Sequence, residues 1–189
     1  NVIANNGEYV APKLVKRVQR SDGSQVTPEP GARRQVIQPA AADQVEQALR
    51  AVVTEGTAKD WSIPGFPAAA KTGTSRMPDP QRSDGTDGYL WADGHYHYLN
   101  VFTGYLPADA PELSITVLLE DTSDGLTGSS GAGPVFSALA RLGIRELGIA
   151  PRGADEGSPA ARGLRAEPAV AVRKDPTSGG TGTENDNDG

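Results

Sequence analysis

The chain has 189 residues, 37% of them hydrophobic and 22% charged, with a formal net charge of −6. That length allows one domain with a sizeable core and a remainder. The acidic balance argues against a nucleic-acid or anionic-membrane surface, which would need clustered Lys and Arg. The absence of cysteine excludes disulfides, thiolate zinc sites, iron–sulfur clusters and cysteine nucleophiles together. No apolar run approaches the roughly 18 residues that a membrane-spanning helix needs. The opening, Asn1–Gly7, has no targeting pattern and reads as the end of a helix already under way, so a longer parent protein is expected.

Tyr9–Gln19 and Gln25–Thr27 flank Ser21-Asp22-Gly23-Ser24, a hairpin signal. Val45, Ala48, Leu49, Val52 and Val53 then repeat at helical spacing, with Pro39 suited to the start of that helix and Gly56 to its end. Pro64-Gly65 turns the chain into a small-residue strand over Phe66–Ser75, and Arg76–Gly94 is a long loop dense in Asp, Gly and Pro. His97–Leu106 and Leu113–Glu120 read as antiparallel strands joined through Pro107–Pro111. In the second strand Ile115, Val117 and Leu119 alternate with Ser114, Thr116 and Leu118, which marks a core face. Pro134 opens a last helix with Phe136, Leu139, Ala140, Gly143 and Leu147 on one apolar face, and Gly148 closes it. Three antiparallel strands with packed helices make an α+β layer over residues 1–150. Residues 151–189 lack aromatics and end in Pro, Thr, Ser, Gly, Asn and acids, so a disordered tail is expected there.

The sharpest chemical signal is Lys71-Thr72-Gly73-Thr74-Ser75 on a strand. Strand geometry sends Lys71 and Gly73 to one face and Thr72 and Thr74 to the other. A glycine within a strand admits another backbone or a ligand at close range. A lysine and hydroxyls beside it suit a substrate carboxylate, and free edge amides suit an oxyanion. An exposed edge strand protected by a lysine is the bland alternative.

Lys-Thr-Gly is one of three signatures shared by penicillin-binding proteins and class A β-lactamases. Its surroundings extend the likeness. Ala4-Asn5-Asn6-Gly7-Glu8-Tyr9-Val10-Ala11-Pro12-Lys13-Leu14-Val15 resembles the segment after the second motif of class B penicillin-binding proteins. Val52–Ala58, Phe102–Asp109 and Gly133-Pro134-Val135-Phe136 resemble that family's helix end, next strand and last helix, in order and at matching spacing. The resemblance implies the C-terminal part of a D,D-transpeptidase domain that cross-links peptidoglycan stem peptides. A serine of a Ser-x-x-Lys motif would attack the penultimate D-Ala carbonyl, and β-lactams would trap that serine. It also implies that Lys71 belongs to the cationic network orienting the nucleophile. The Thr72 and Thr74 hydroxyls would bind the carboxylate beside Gly73, and the Thr74 backbone N–H would form half of the oxyanion hole.

The sequence departs from the family in four places. It contains neither Ser-x-x-Lys nor Ser-x-Asn, so the nucleophile is expected outside these residues. Ala70 stands where a glycine is common, and Gly133 where an alanine is usual, the latter a mild change. The expected setting is the cell envelope, on the outer face of the cytoplasmic membrane. The expected partners are stem peptides, β-lactams and cell-wall synthesis or division proteins, with membrane contact only through an N-terminal anchor outside this chain. No cofactor is expected. The alternatives are a β-lactamase or D,D-carboxypeptidase fragment, and a non-catalytic penicillin-recognising sensor or scaffold.

Two further patterns yield blander readings. His95 and His97 with Asp84, Asp87 and Asp93 suggest a metal site, but the ligand spacing is not that of zinc. Gly125, Gly128, Gly131 and Gly133 before Pro134 imitate a phosphate cradle, yet no P-loop lysine follows, and a flexible rim beside the Lys-Thr-Gly strand is expected instead. Tyr89 and Trp91 either contact substrate or pin the long loop.

Overall fold

The computed structural model describes residues 1–29, 31–81, 88–122 and 125–152. Of the expected disordered tail, residues 151–189, Pro151 and Arg152 are described and are half-buried against the fold, the Arg152 N–H donating to Gly65 O at 2.6 Å; the rest of it, and Asp84 and Asp87 of the suggested metal cluster, lie outside the described residues. Among the described residues, seven strands and two α-helices follow in order, besides short helical turns: β1 (Glu8–Val10), β2 (Val18–Gln19), β3 (Gln25–Val26), β4 (Arg33–Gln35), α1 (Pro39–Thr54), β5 (Ala69–Arg76), β6 (Tyr98–Leu106), β7 (Leu113–Thr122) and α2 (Gly133–Leu147). β5, β6 and β7 form one antiparallel sheet in that order, and β1–β4 and β2–β3 form two separate antiparallel ribbons. The α+β layer expected from the sequence is present.

The N-terminal segment differs from the continuous strand read over Tyr9–Gln19. Pairing runs from Glu8 to Val10 against Gln35 to Arg33, then stops at Ala11-Pro12 and resumes at Val18. Proline offers no N–H to continue a ladder. The partner β4 is exposed throughout and shows no apolar alternation, which hid it. A bidentate contact from the Arg33 guanidinium to the Glu8 carboxylate spans this ribbon and holds the carboxyl below its usual range.

Helix α1 starts with Pro39 in its first turn, where a missing N–H costs nothing. It ends where Gly56 folds back on the last turn, so closely that a Cβ would lie 2.9 Å from Val52 Cα. Val52 and Val53 join the main apolar cluster, and Leu49 joins a smaller one on Ala69, Tyr105 and Ala108. Val45 and Ala48 of the expected apolar face are exposed. Glu46 ties helix to sheet: one oxygen accepts from Tyr105 Oη at 3.2 Å, the other from Arg50 Nε at 3.0 Å. Burial, and then the Glu46 charge, push the Tyr105 phenol pKa far up.

The main cluster lies between the sheet and α2. In register, Ala70 faces Gly104 and Thr72 faces Phe102, which in turn faces Val117. Phe136 lies over this row, 2% exposed, with its ring centroid 4.3 Å from that of Phe102. A Cβ on Gly104 would come within 3.1 Å of Phe136 Cζ, so the glycine makes room for the ring. The buried residues of α2 are Gly133, Phe136, Ala140 and Ile144. Leu139 and Leu147, expected on the buried face, are 43% and 59% exposed. The helix is apolar on more than one side, and its small residues decide which side approaches: Gly143 meets the Leu113 side chain where a Cβ would clash. Gly148 ends the helix in the left-handed region at φ 66°.

Candidate active site

β5 is an edge strand of the sheet, and alanines at 68–70 set it deep in the packing before Lys71 emerges. From Lys71 to Arg76 the strand is exposed except at half-buried Thr72. The structure therefore brings Lys71, Thr72, Gly73 and Thr74 together on one exposed strand edge. Lys71 Nζ donates to its neighbour's carbonyl, Thr72 O, at 2.6 Å. It lines a cleft of about 150 Å³ with Ile3, Leu49 and Tyr105. A larger concavity of about 520 Å³ lies between Arg50, Lys59, Phe66 and Arg152, and none of residues 71–74 lines it.

The two threonine hydroxyls have partners that the sequence did not reveal. Thr72 Oγ1 lies 2.8 Å from Thr57 Oγ1, just past α1. Thr74 Oγ1 accepts from the Gly128 backbone N–H at 2.8 Å. An amide can only donate, so the Thr74 hydroxyl accepts there and keeps its own proton to donate elsewhere. That polarity suits an incoming carboxylate.

The segment read as a flexible rim is a wound turn, Gly128–Ala132, with Gly128 and Ala132 buried. Thr127 caps it: its hydroxyl accepts from the Ser130 amide at 3.1 Å, and its own amide donates to Ser130 Oγ at 2.9 Å. A Cβ on Gly128 would sit 2.8 Å from Gly73 N and 2.5 Å from Val101 O, so only glycine approaches the strand this closely. The close approach expected at Gly73 is achieved by the glycine facing it; Gly73 itself has room, its Cβ site being 3.7 Å from Val101 Cβ. Gly133 is not a mild exchange for alanine, because the Trp61 indole occupies the place of its Cβ.

His97 is held between two carboxylates. His97 Nδ1 bonds Asp121 Oδ1, Nε2 bonds Asp93 Oδ2 at 2.9 Å, and the ring stacks on Trp91 at 3.8 Å. Hydrogen bonds to Asp121 first, then Asp93, raise the imidazole pKa above its ordinary value. Among the described residues, no group of three His, Cys, Asp or Glu side chains is placed to hold a metal. Trp91 pins the chain between β5 and β6, its Nε1 donating to Met77 O at 3.2 Å. Arg76 stacks on Tyr96 close by, 3.9 Å above the ring.

Comparison with known proteins fits this geometry. The family model described as the penicillin binding protein transpeptidase domain matches residues 1–141. The chain belongs to the penicillin binding protein transpeptidase family. Among curated relatives, penicillin-binding protein PbpB of Mycobacterium tuberculosis is 32% identical over 168 residues, covering 83% of this chain and 23% of the relative. Stage V sporulation protein D of Bacillus subtilis is 29% identical over 146 residues, covering 77% and 20%. The chain thus spans about a fifth of the length of these relatives. Among solved structures, penicillin binding protein 3 from Mycobacterium tuberculosis complexed with ampicillin matches with a TM-score of 0.63 and 30% identity, over 84% of this chain and 35% of that one. The class B likeness read from Ala4–Val15 and its companion segments is borne out by these relatives.

Proposed function

We propose that the full-length protein is a serine-type D,D-transpeptidase of peptidoglycan synthesis, acylated by β-lactams, and that this chain supplies the Lys-Thr-Gly strand of its active site. The observation that carries the reading is the Thr74 hydroxyl. It stands on an edge strand of a transpeptidase-family sheet, accepts from the Gly128 N–H on one lone pair, and keeps its proton to donate.

In this reading Lys71 draws in the substrate carboxylate and sits in the cationic network around the nucleophile. Thr72 and Thr74 donate to that carboxylate, and Gly73 keeps the wall between them low. The Thr74 N–H is one of two donors to the oxyanion, a role worth about 3–4 kcal/mol per donor in a hydrolase. The nucleophilic serine lies outside the 189 residues, since no Ser-x-x-Lys occurs within them. Its Oγ attacks the penultimate D-Ala carbonyl of a stem peptide, the terminal D-Ala leaves as the amine, and an amino group of a second strand takes the acyl group and frees the serine. Residues 1–150 form the C-terminal part of the transpeptidase domain, and residues 151–189 a tail beyond it. The site works at the outer face of the cytoplasmic membrane, held there by an N-terminal anchor, alongside cell-wall synthesis or division proteins.

The test is labelling of the full-length protein with a fluorescent penicillin, followed by peptide mass spectrometry. The adduct is expected on a serine outside residues 1–189. Lys71→Ala and Thr74→Val are expected to slow acylation with folding retained, the former more and with an effect that added salt partly mimics. An adduct on Ser75, or unchanged rates in both variants, overturns the assignment.

A further inference from the structure

We infer that Trp61 is a positioning residue for the Lys-Thr-Gly strand: its indole holds the Gly128–Ala132 turn so that the Gly128 amide stays on the Thr74 hydroxyl. The inference rests on the reading of Thr74 as a donor to substrate carboxylate.

Trp61 ends a short helical turn, Lys59–Trp61, that follows α1, and its ring packs partly buried against the main cluster. The indole N–H, which can only donate, reaches Ser129 Oγ at 3.1 Å. The ring also lies on Gly133, where a Cβ would fall 2.5 Å from Cδ1 and 2.6 Å from Cε2. Trp61 and Gly133 are therefore a matched pair, since any side chain at 133 would expel the indole. Ser129 is the second residue of the wound turn and Gly133 directly follows it, so one aromatic residue holds it near both ends.

The turn is confined from two sides. Towards the sheet, Gly128 is already stopped by the Gly73 and Val101 backbones. Away from the sheet, displacement is opposed by the Trp61–Ser129 bond and by the Gly128 N–H on Thr74 Oγ1. An unheld threonine hydroxyl rotates among staggered positions. With the Gly128 amide on one lone pair, the position that would aim its proton at the turn is closed and the proton is directed away from the turn. Trp61 thus acts on Thr74 through Ser129 and Gly128, without touching the substrate.

The experiment measures second-order acylation of the full-length protein by fluorescent penicillin, with thermal unfolding recorded in parallel. Trp61→Phe keeps a ring and removes the N–H. Ser129→Ala removes the same bond from the other side and serves if the tryptophan variant does not fold. Each is expected to lower the acylation rate about three- to tenfold, the scale of one neutral hydrogen bond, and the double variant no further than either. In a Thr74→Val background, Ser129→Ala is expected to change the rate less than twofold, because the hydroxyl being positioned is gone. A merely structural role would lower the rate equally in both backgrounds, and that result overturns the inference. So does an unchanged rate in Ser129→Ala while Thr74→Val is slow, which leaves the functional reading standing. Wild-type protein that takes no label overturns both.

Discussion

Replacing Phe136 by alanine tests the packing of α2 on the sheet. The ring is 2% exposed, and its neighbours across the interface are Phe102, Ala70 and Gly104, with Ala140 one turn along. Three of these four carry at most a methyl group, so they have nothing with which to fill the space left behind. Truncation of a buried phenylalanine costs about 3–5 kcal/mol when transfer and cavity contributions are combined. Loss of the offset pair with Phe102 adds about 0.5–1.5 kcal/mol, which places the expected value near the top of that range. With a urea slope of about 2 kcal/mol/M, a loss of about 5 kcal/mol lowers the midpoint by about 2.5 M. Urea unfolding of the full-length protein, followed by tryptophan fluorescence, to which Trp61 in the same cluster contributes, reads this out. Phe136→Leu, which refills much of the volume, is expected to lose less than half as much. A loss below about 1 kcal/mol in the alanine variant would show that this face of α2 does not carry the interface.

Gly104→Ala places a methyl 2.8 Å from Ala69 O and Ala70 Cβ, and is expected to destabilise by about 1–3 kcal/mol in the same assay. The raised pKa of His97 means that its protonated form stabilises the fold. That contribution is fully present below about pH 6.5 and lost as pH rises through the raised value. His97→Gln is therefore expected to flatten the melting temperature as pH rises above about 6.5, and parallel curves for the two proteins would refute this. Thr57→Val leaves Thr72 without its 2.8 Å partner and is expected to slow penicillin acylation by about two- to fivefold with little change in melting temperature.

What could be read from the sequence followed the range of the interactions involved. α1, β6, β7 and α2 were legible because their signals are local: Pro39, the Pro107–Pro111 connection, and Pro134 with Gly148. β4 was not, since Arg33-Arg34-Gln35 pairs with Glu8–Val10 across a separation of about 25 residues and carries no apolar rhythm. The buried stripe of α2 was misplaced because periodicity ranks residues by hydrophobicity. Helix approach is set instead by Gly133, Ala140 and Gly143, whose small size lets Ile144 reach the core. In the site, Lys71–Thr74 stood out as a motif, but the groups that orient it did not. Thr57, Trp61 and Gly128 have ordinary residue types at scattered positions, and only the fold makes them neighbours of the strand. The coincidence of Trp61 with a glycine at 133 was the one available signal, legible only once the two are known to touch.

The alanine run leading into β5 also bears on how the site can vary between descendants of this sequence. At Ala69 and Ala70, packed against Tyr105, Gly104 and Phe136, volume can scarcely be added without displacing the sheet and scarcely be removed at all. The strand is in effect a fixed rail. Heritable change in how the Lys-Thr-Gly end meets a ligand is thereby channelled to Thr57, the exposed residue hydrogen-bonded to it from outside. Such changes alter the direction of a hydroxyl without touching the core, so an inhibitor and a natural substrate that load that hydroxyl differently can be separated by selection at little cost in stability.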